Sequence, residues 1–177
     1  APAEKAIPCK QLAVCGTAAC VPALAPLLAN PELASWARIA LEAIPDPAAD
    51  AALRDAAGRL QGRLLIGAIN SIGVRGDAQA VPALAARLSD ADAGVASAAA
   101  VALGKIGSEP AAAALVPMLK TAPAGVRPAV AAGCILCAER RMAAGRHPEA
   151  VALYLACLRA GLIALALLGV LALIVWL

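Results

Sequence analysis

The sequence predicts an all-α fold, an α-solenoid of stacked antiparallel helix pairs, from three observations. Apolar residues recur at steps of three and four, as in Val81, Leu84 and Leu88 and then Val95, Ala99, Ala102, Leu103 and Ile106, which is the spacing of one helical face. Leu53, Leu84 and Leu115 stand 31 residues apart, and Leu88 and Leu119 repeat that step. The second segments share a small, apolar, x, x, Ile ending in Ala40-Leu41-Glu42-Ala43-Ile44, Ala68-Ile69-Asn70-Ser71-Ile72 and Ala102-Leu103-Gly104-Lys105-Ile106. Helices this short cannot bury their apolar faces in a single pair, so similar pairs must stack and cover one another.

Taken in order, Ala1 to Pro8 reads as a frayed leader and Cys9 to Val14 as the last turns of a helix stopped by Gly16, so residues 1–16 make a leader and a half repeat. Residues 17–145 make the array. Its first pair covers about 17–29 and 32–43, split by Asn30-Pro31, and Pro45-Asp46-Pro47 ends it. The second covers about 48–60 and 62–72. In the third, 81–107, Ser89 to Asp92 supplies the turn and a helix N-cap and Gly107 the stop. The fourth takes about 109–120 and 126–144 around Thr121-Ala122-Pro123. Pro26 and Pro117 each sit inside a first helix and are expected to kink it by removing a backbone donor. Residues 146–159 form one more amphipathic helix.

The small, apolar, x, x, Ile endings, together with Val-Pro-Ala-Leu at Val21 and again at Val81, resemble the HEAT repeat over roughly Thr17 to Gly145. Within that family the chain is similar to Ala-rich arrays of bacterial proteins. The resemblance implies a right-handed superhelical array whose second helices line a concave surface and bind another protein. Gly145, Ala150, Tyr154 and Cys157 form a series similar to the second helix of a tetratricopeptide repeat, which implies the same helix-pair architecture.

Composition narrows the function classes. Two Trp, one Tyr and no Phe leave no stacking platform for single-stranded nucleic acid. The net charge of +3 comes from 15 basic and 12 acidic residues interspersed along the chain, whereas a DNA footprint gathers its cations on one face. No nucleic acid is expected. A lone His147 with scattered carboxylates offers no base beside a nucleophile, so no catalytic residue and no cofactor is assigned. Cys134-Ile-Leu-Cys137 falls mid-helix, where two small core hydrophobes are the expected role. Cys9, Cys15 and Cys20 are close enough for one disulfide, but their spacing is not that of a zinc knuckle, and no metal is assigned. Asn70 is expected to bond the backbone of an adjoining repeat, with Ser71 able to share that role.

Residues 160–177, AGLIALALLGVLALIVWL, carry no charge. As a helix they would extend about 27 Å at 1.5 Å per residue, near the 30 Å of a bilayer core. Arg159 flanks one end and Trp176 sits at the other, where an interfacial aromatic belongs. The stretch reads as a membrane segment marked by Gly161, Leu168, Gly169 and Trp176. Two alternatives stand beside it: a packed last helix of the array, or a break in the chain that removes the element covering it. Ala1 to Lys10 shows no apolar run of a signal peptide.

The expected function is a non-enzymatic scaffold that binds another protein, tethered to a membrane or cell envelope through 160–177, or soluble if the tail packs on the array. Its partner-facing residues are expected to be Trp36, Arg38, Asn70, Arg75, Lys105, Arg127 and Glu139, with Trp36 as the one large anchor. The alternatives are a regulatory or targeting segment of a larger bacterial enzyme, or a lyase.

Overall fold

The computed structural model describes residues 2–161; the side chains of residues 2–6 are not described. The tail reading at Leu168, Gly169 and Trp176 therefore lies outside the described residues. All regular structure among the described residues is helical. Two compact units divide the chain, residues 1–77 and 78–177.

The first unit holds α1 (Pro2–Cys15), α2 (Val21–Leu24), α3 (Ala34–Ala43), α4 (Pro47–Arg59) and α5 (Gly62–Arg75). One layer is formed by α1, α3 and α5 packed side by side, and α2 and α4 back it. The expected leader is instead helix: α1 starts at Pro2 and runs on past Pro8. Pro at a first helical position loses no bond that the helix would have made, and Ala3, Glu4, Lys5 and Ala6 are strong helix formers.

After Leu24 the chain tightens into a 3-10 helix, Ala25–Ala29, with Pro26 in its first turn. The proline lacks the donor that would have continued the α-helical ladder, so the expected kink takes this form. Asn30 Oδ1 then accepts from the Glu32 and Leu33 amides, at 2.9 and 3.2 Å, and leads into α3. Asp46 caps α4 by accepting from Ala48 N at 2.8 Å, and Gly76, in the left-handed region at φ 69°, ends α5.

The second unit holds α6 (Val81–Ala86), α7 (Ala93–Ile106), α8 (Glu109–Thr121), α9 (Arg127–Ala143) and α10 (His147–Arg159). Here α7 packs on α9, with α6, α8 and α10 on the other layer. Asp92 caps α7 through the Gly94 and Val95 amides, and Gly107 stops it at φ 67°. Pro117 lies inside α8, which continues to Thr121.

Where α7 meets α9 the contact is backbone on backbone. A Cβ on Gly104 would fall 2.6 Å from Gly133 Cα, and one on Gly133 would fall 2.4 Å from the Ala100 carbonyl oxygen. Only glycine fits at both positions.

The regularly spaced leucines are the core. Leu53 and Leu115 have no exposed surface and Leu84 almost none, with Leu41 and Leu103 equally enclosed in α3 and α7. Burying each side chain contributes roughly 1.5–3 kcal/mol. Within each unit the helix pairs stack as in an α-solenoid.

Candidate protein-binding face

On α3 the stripe Ala34, Ala37, Ala40 and Leu41 is buried, and the opposite side carries Ser35, Trp36, Ile39 and Ala43. On α5 the side turned away from the buried Leu65, Ala68 and Ile72 carries Arg63, Asn70 and Val74. Three large apolar side chains are thus open to solvent on packed neighbouring helices: Trp36 at 37%, Ile39 at 47% and Val74 at 55%. Single exposed apolar residues are ordinary, whereas several on adjoining helices of one layer make a surface suited to a partner. Ile39 and Val74 were not among the sequence-predicted residues. Their signal was a branched apolar residue standing off the buried stripe of its own helix.

The two arginines expected at this face are committed elsewhere. Arg75 extends back to the end of α3 and the start of α4. Its Nη1 donates to the Leu41 and Ile44 carbonyls at 2.7 Å and to that of Glu42 at 3.2 Å, while Nη2 reaches the Asp46 carbonyl at 3.1 Å. Its Nε pairs with Asp50. The side chain is 9% exposed, so Arg75 is a clamp between successive pairs and presents no charge to a partner. The Leu41 and Glu42 carbonyls, in the last turn of α3, lack intrahelical donors, and a forked cation satisfies several acceptors at once.

Arg38 lies across α5, donating from Nη1 to the Gly67 carbonyl and to Ser71 Oγ, both at 3.2 Å. Space for it comes from Gly67, where a Cβ would sit 2.8 Å from Arg38 Nε. Ser71, fully buried, donates to Glu42 Oε1. Ser71 thus bonds across to α3 through a side chain, not to the backbone of an adjoining repeat as expected, and Asn70 is half-buried. Trp36, Arg38, Asn70 and Arg75 all lie on the packed pair α3 and α5; Trp36 is exposed, Arg38 and Asn70 are half-buried, and Arg75 is withdrawn.

Lys105, Arg127 and Glu139 belong to the second unit. Lys105 is half-buried near the end of α7 and Glu139 is exposed on α9. Arg127 turns back on its own loop, its Nη2 donating to the Ala122 carbonyl at 3.1 Å. Also in this unit, a groove of about 450 Å³ runs between α8 and α10 over Ala112, Val116, Ala152 and Leu153. Glu109, Arg141, Arg146 and Glu149 close one end of it in opposite-charge pairs. Arg146 holds the Glu149 carboxyl below the usual carboxylate range.

Candidate chemical groups are placed as core or turn. Cys134, Cys137 and Cys157 are fully buried thiols, and burial pushes the Cys137 pKa up. Cys9 is buried, Cys15 exposed and Cys20 half-buried, all three free. His147 opens α10 with Nδ1 3.5 Å from Met142 Sδ. Among the described residues no three His, Cys, Asp or Glu side chains converge as a metal site would require.

A family model described as HEAT repeats matches residues 61–135, from the start of α5 to the middle of α9. Residues 61–135 thus carry HEAT repeats. No curated protein matches the chain. HEAT repeats generally mediate protein–protein interaction; α5 lies within the matched residues and α3 before them.

Proposed function

We propose that this HEAT protein is a non-enzymatic scaffold that docks another protein on the outer face of α3 and α5, through Trp36, Ile39, Val74 and Asn70. The observation that carries the reading is the exposure of three large apolar side chains on adjoining helices. They are backed by side chains already bonded to one another, Arg38 to Ser71 and Ser71 to Glu42. A rigid backing spares ordering entropy when the partner binds, and a Trp is among the residue types that dominate interface energies. The most polar groups nearby are held in this structural role, which favours binding over chemistry.

A photo-cross-linking side chain placed at Ile39 or at Val74 should give the same adduct in cells. Placed at Ala51, exposed on α4, it should give none. Trp36→Ala should weaken the adduct about tenfold or more. Equal labelling from all three positions overturns the assignment.

The scaffold is, in this reading, held at a membrane by residues 160–177. Their uncharged sequence and the flanking Arg159 support the tether. Among the described residues no helix is long and apolar enough to cross a membrane, so the reading rests on the tail alone. Full-length protein should pellet with membranes, resist carbonate and extract with detergent. Replacing Leu168 and Leu171 by Arg should release it, since each charge costs about 2.5–3.5 kcal/mol at a span's centre. Pelleting unchanged by both substitutions overturns the tether.

A further inference from the structure

The exposed apolar surface of the first unit extends beyond α3 and α5. On α1, Ile7 is 63% and Val14 89% exposed. A Cβ on Gly16, just after α1, would lie 3.2 Å from Cδ1 of Ile44, just after α3, so these two packed helices end together and run in the same direction. α3 and α5 also run in the same direction, since Arg38 reaches Gly67 and Arg75 reaches Ile44. In each helix the side chains advance by about 100° per residue. On α3 the residue after Arg38, which reaches α5, is the exposed Ile39. On α1 the residue after Cys9, buried against α3, is the exposed Lys10. Ile7 stands three residues before Lys10 and Val14 four after it, the spacing of one helix side. Ile7, Lys10 and Val14 therefore continue the outer face of α3 and α5.

The exposed charges on these three helices have one sign. Lys10 and Arg63 are open to solvent. Among the described side chains of α1, α3 and α5 the one carboxylate is Glu42, which accepts from Ser71 and stands 4.0 Å from Arg38; the exposed Glu32 belongs to the turn ahead of α3. The first turn of α5 has neither an acid nor a side-chain cap, so the partial positive charge of that helix end adds to that of Arg63.

We propose that the partner element seated on this face is an acidic amphipathic helix that crosses α1, α3 and α5. Its apolar stripe lies on Ile7, Val14, Trp36, Ile39 and Val74, and its carboxylates face Lys10 and Arg63. The proposal rests on the reading of α3 and α5 as the docking face and adds the chemistry of the partner and the part played by α1. The backbone groups of the three helices are spent within them, so an extended peptide laid here would bury donors and acceptors without partners. A helix arrives with its own bonds made. Packed helices lie about 8–10 Å apart, which sets the first and third axes about 20 Å apart. A helix of about 14 residues spans that distance at 1.5 Å per residue.

The test uses the full chain and three labelled helical peptides of about 14 residues, sharing one Leu stripe and carrying Glu, Gln or Lys on their flanks, followed by fluorescence anisotropy. The Glu peptide should bind about tenfold or more tighter than the Lys peptide, by a margin that shrinks as salt is added. Lys10→Glu combined with Arg63→Glu should reverse the order. Ile7→Ser combined with Val14→Ser, and separately Trp36→Ala, should each weaken the Glu peptide about tenfold. Equal binding of the three peptides, or a preference for Glu that survives the charge reversal, overturns the acidic partner. Undiminished binding to the Ile7 and Val14 variant overturns the part assigned to α1. Cross-linking in cells from Ile39 and Val74 reports on the docking face separately: after either result, adducts that still form leave that face standing without this partner, and their absence removes both.

Discussion

Replacing Arg75 by Met should cost about 3–4 kcal/mol of stability. The wild-type guanidinium serves four carbonyls, two of them at 2.7 Å, and one carboxylate, with only 9% of the side chain exposed. Methionine keeps the packed stem and removes every donor. The carbonyls of Leu41 and Glu42 then lose a donor from outside their helix, and Asp50, 23% exposed, keeps a charge without its cation. Hydrogen bonds to charged groups contribute about 1.5–3 kcal/mol each, far from additively, and breaking a buried pair from one side costs about 3–5 kcal/mol. Partial access of water to Asp50 places the expectation at the lower end of that range. Equilibrium urea unfolding measures it as a lowered midpoint, and amide exchange at Ile44 and Asp46 should quicken in parallel. Arg75→Lys should recover less than half, because three donors on one nitrogen cannot span carbonyls from Leu41 to Asp46. A loss below 0.5 kcal/mol in the Met variant would refute the clamp.

Further expectations follow from the same contacts. Gly133→Ala should destabilise by about 1–3 kcal/mol through overpacking against the Ala100 carbonyl. Gly58→Ala, with nothing within 4 Å of the added methyl, should stabilise by about 0.4–1 kcal/mol; calorimetry on the two variants tests the contrast, and a shift of the same sign in both would contradict it. Asp92→Ala removes the acceptor that serves the Gly94 and Val95 amides and should cost about 1 kcal/mol by denaturant titration. Burial holds the Cys137 thiol above its ordinary value of 9.0. As pH rises past that value the unfolded chain therefore releases a proton that the folded chain retains, so its contribution is intact below 9 and declines through more alkaline pH. Unfolding followed from pH 8 to pH 11 should show that decline, shallower in Cys137→Ala.

The helix pairs were legible because the residues that enclose the core are the ones that repeat. Leu53, Leu84 and Leu115 carry the 31-residue step, and Asp92 and Gly107 mark the ends of α7 by local chemistry alone. The frayed leader expected over Ala1 to Pro8 is helix instead, since Pro2 stands where a helix tolerates it and α1 runs on past Pro8. At the binding face, Trp36 was visible as the one large aromatic of its repeat. Arg75 misled because a charged residue at the end of an amphipathic helix looks solvated; its acceptors lie 25 to 34 residues earlier in the chain, a distance that helical periodicity does not encode. Ser71, not Asn70, bonds across to α3 for a related reason, since both suit a polar bond and only the rotation of α5 against α3 chooses between them.

The meeting of Gly104 with Gly133 acts as a register mark. Sliding α9 along α7 by one turn, about 5.4 Å, would set Gly104 against Ala129 or Cys137, whose side chains occupy the room that the two backbones now share. The helices therefore have one seating and no neighbouring alternatives. A duplicated repeat could be intercalated at this junction only if it carried glycine on both of its faces, so lengthening of the array by gene duplication is constrained here by two residues that have no side chain.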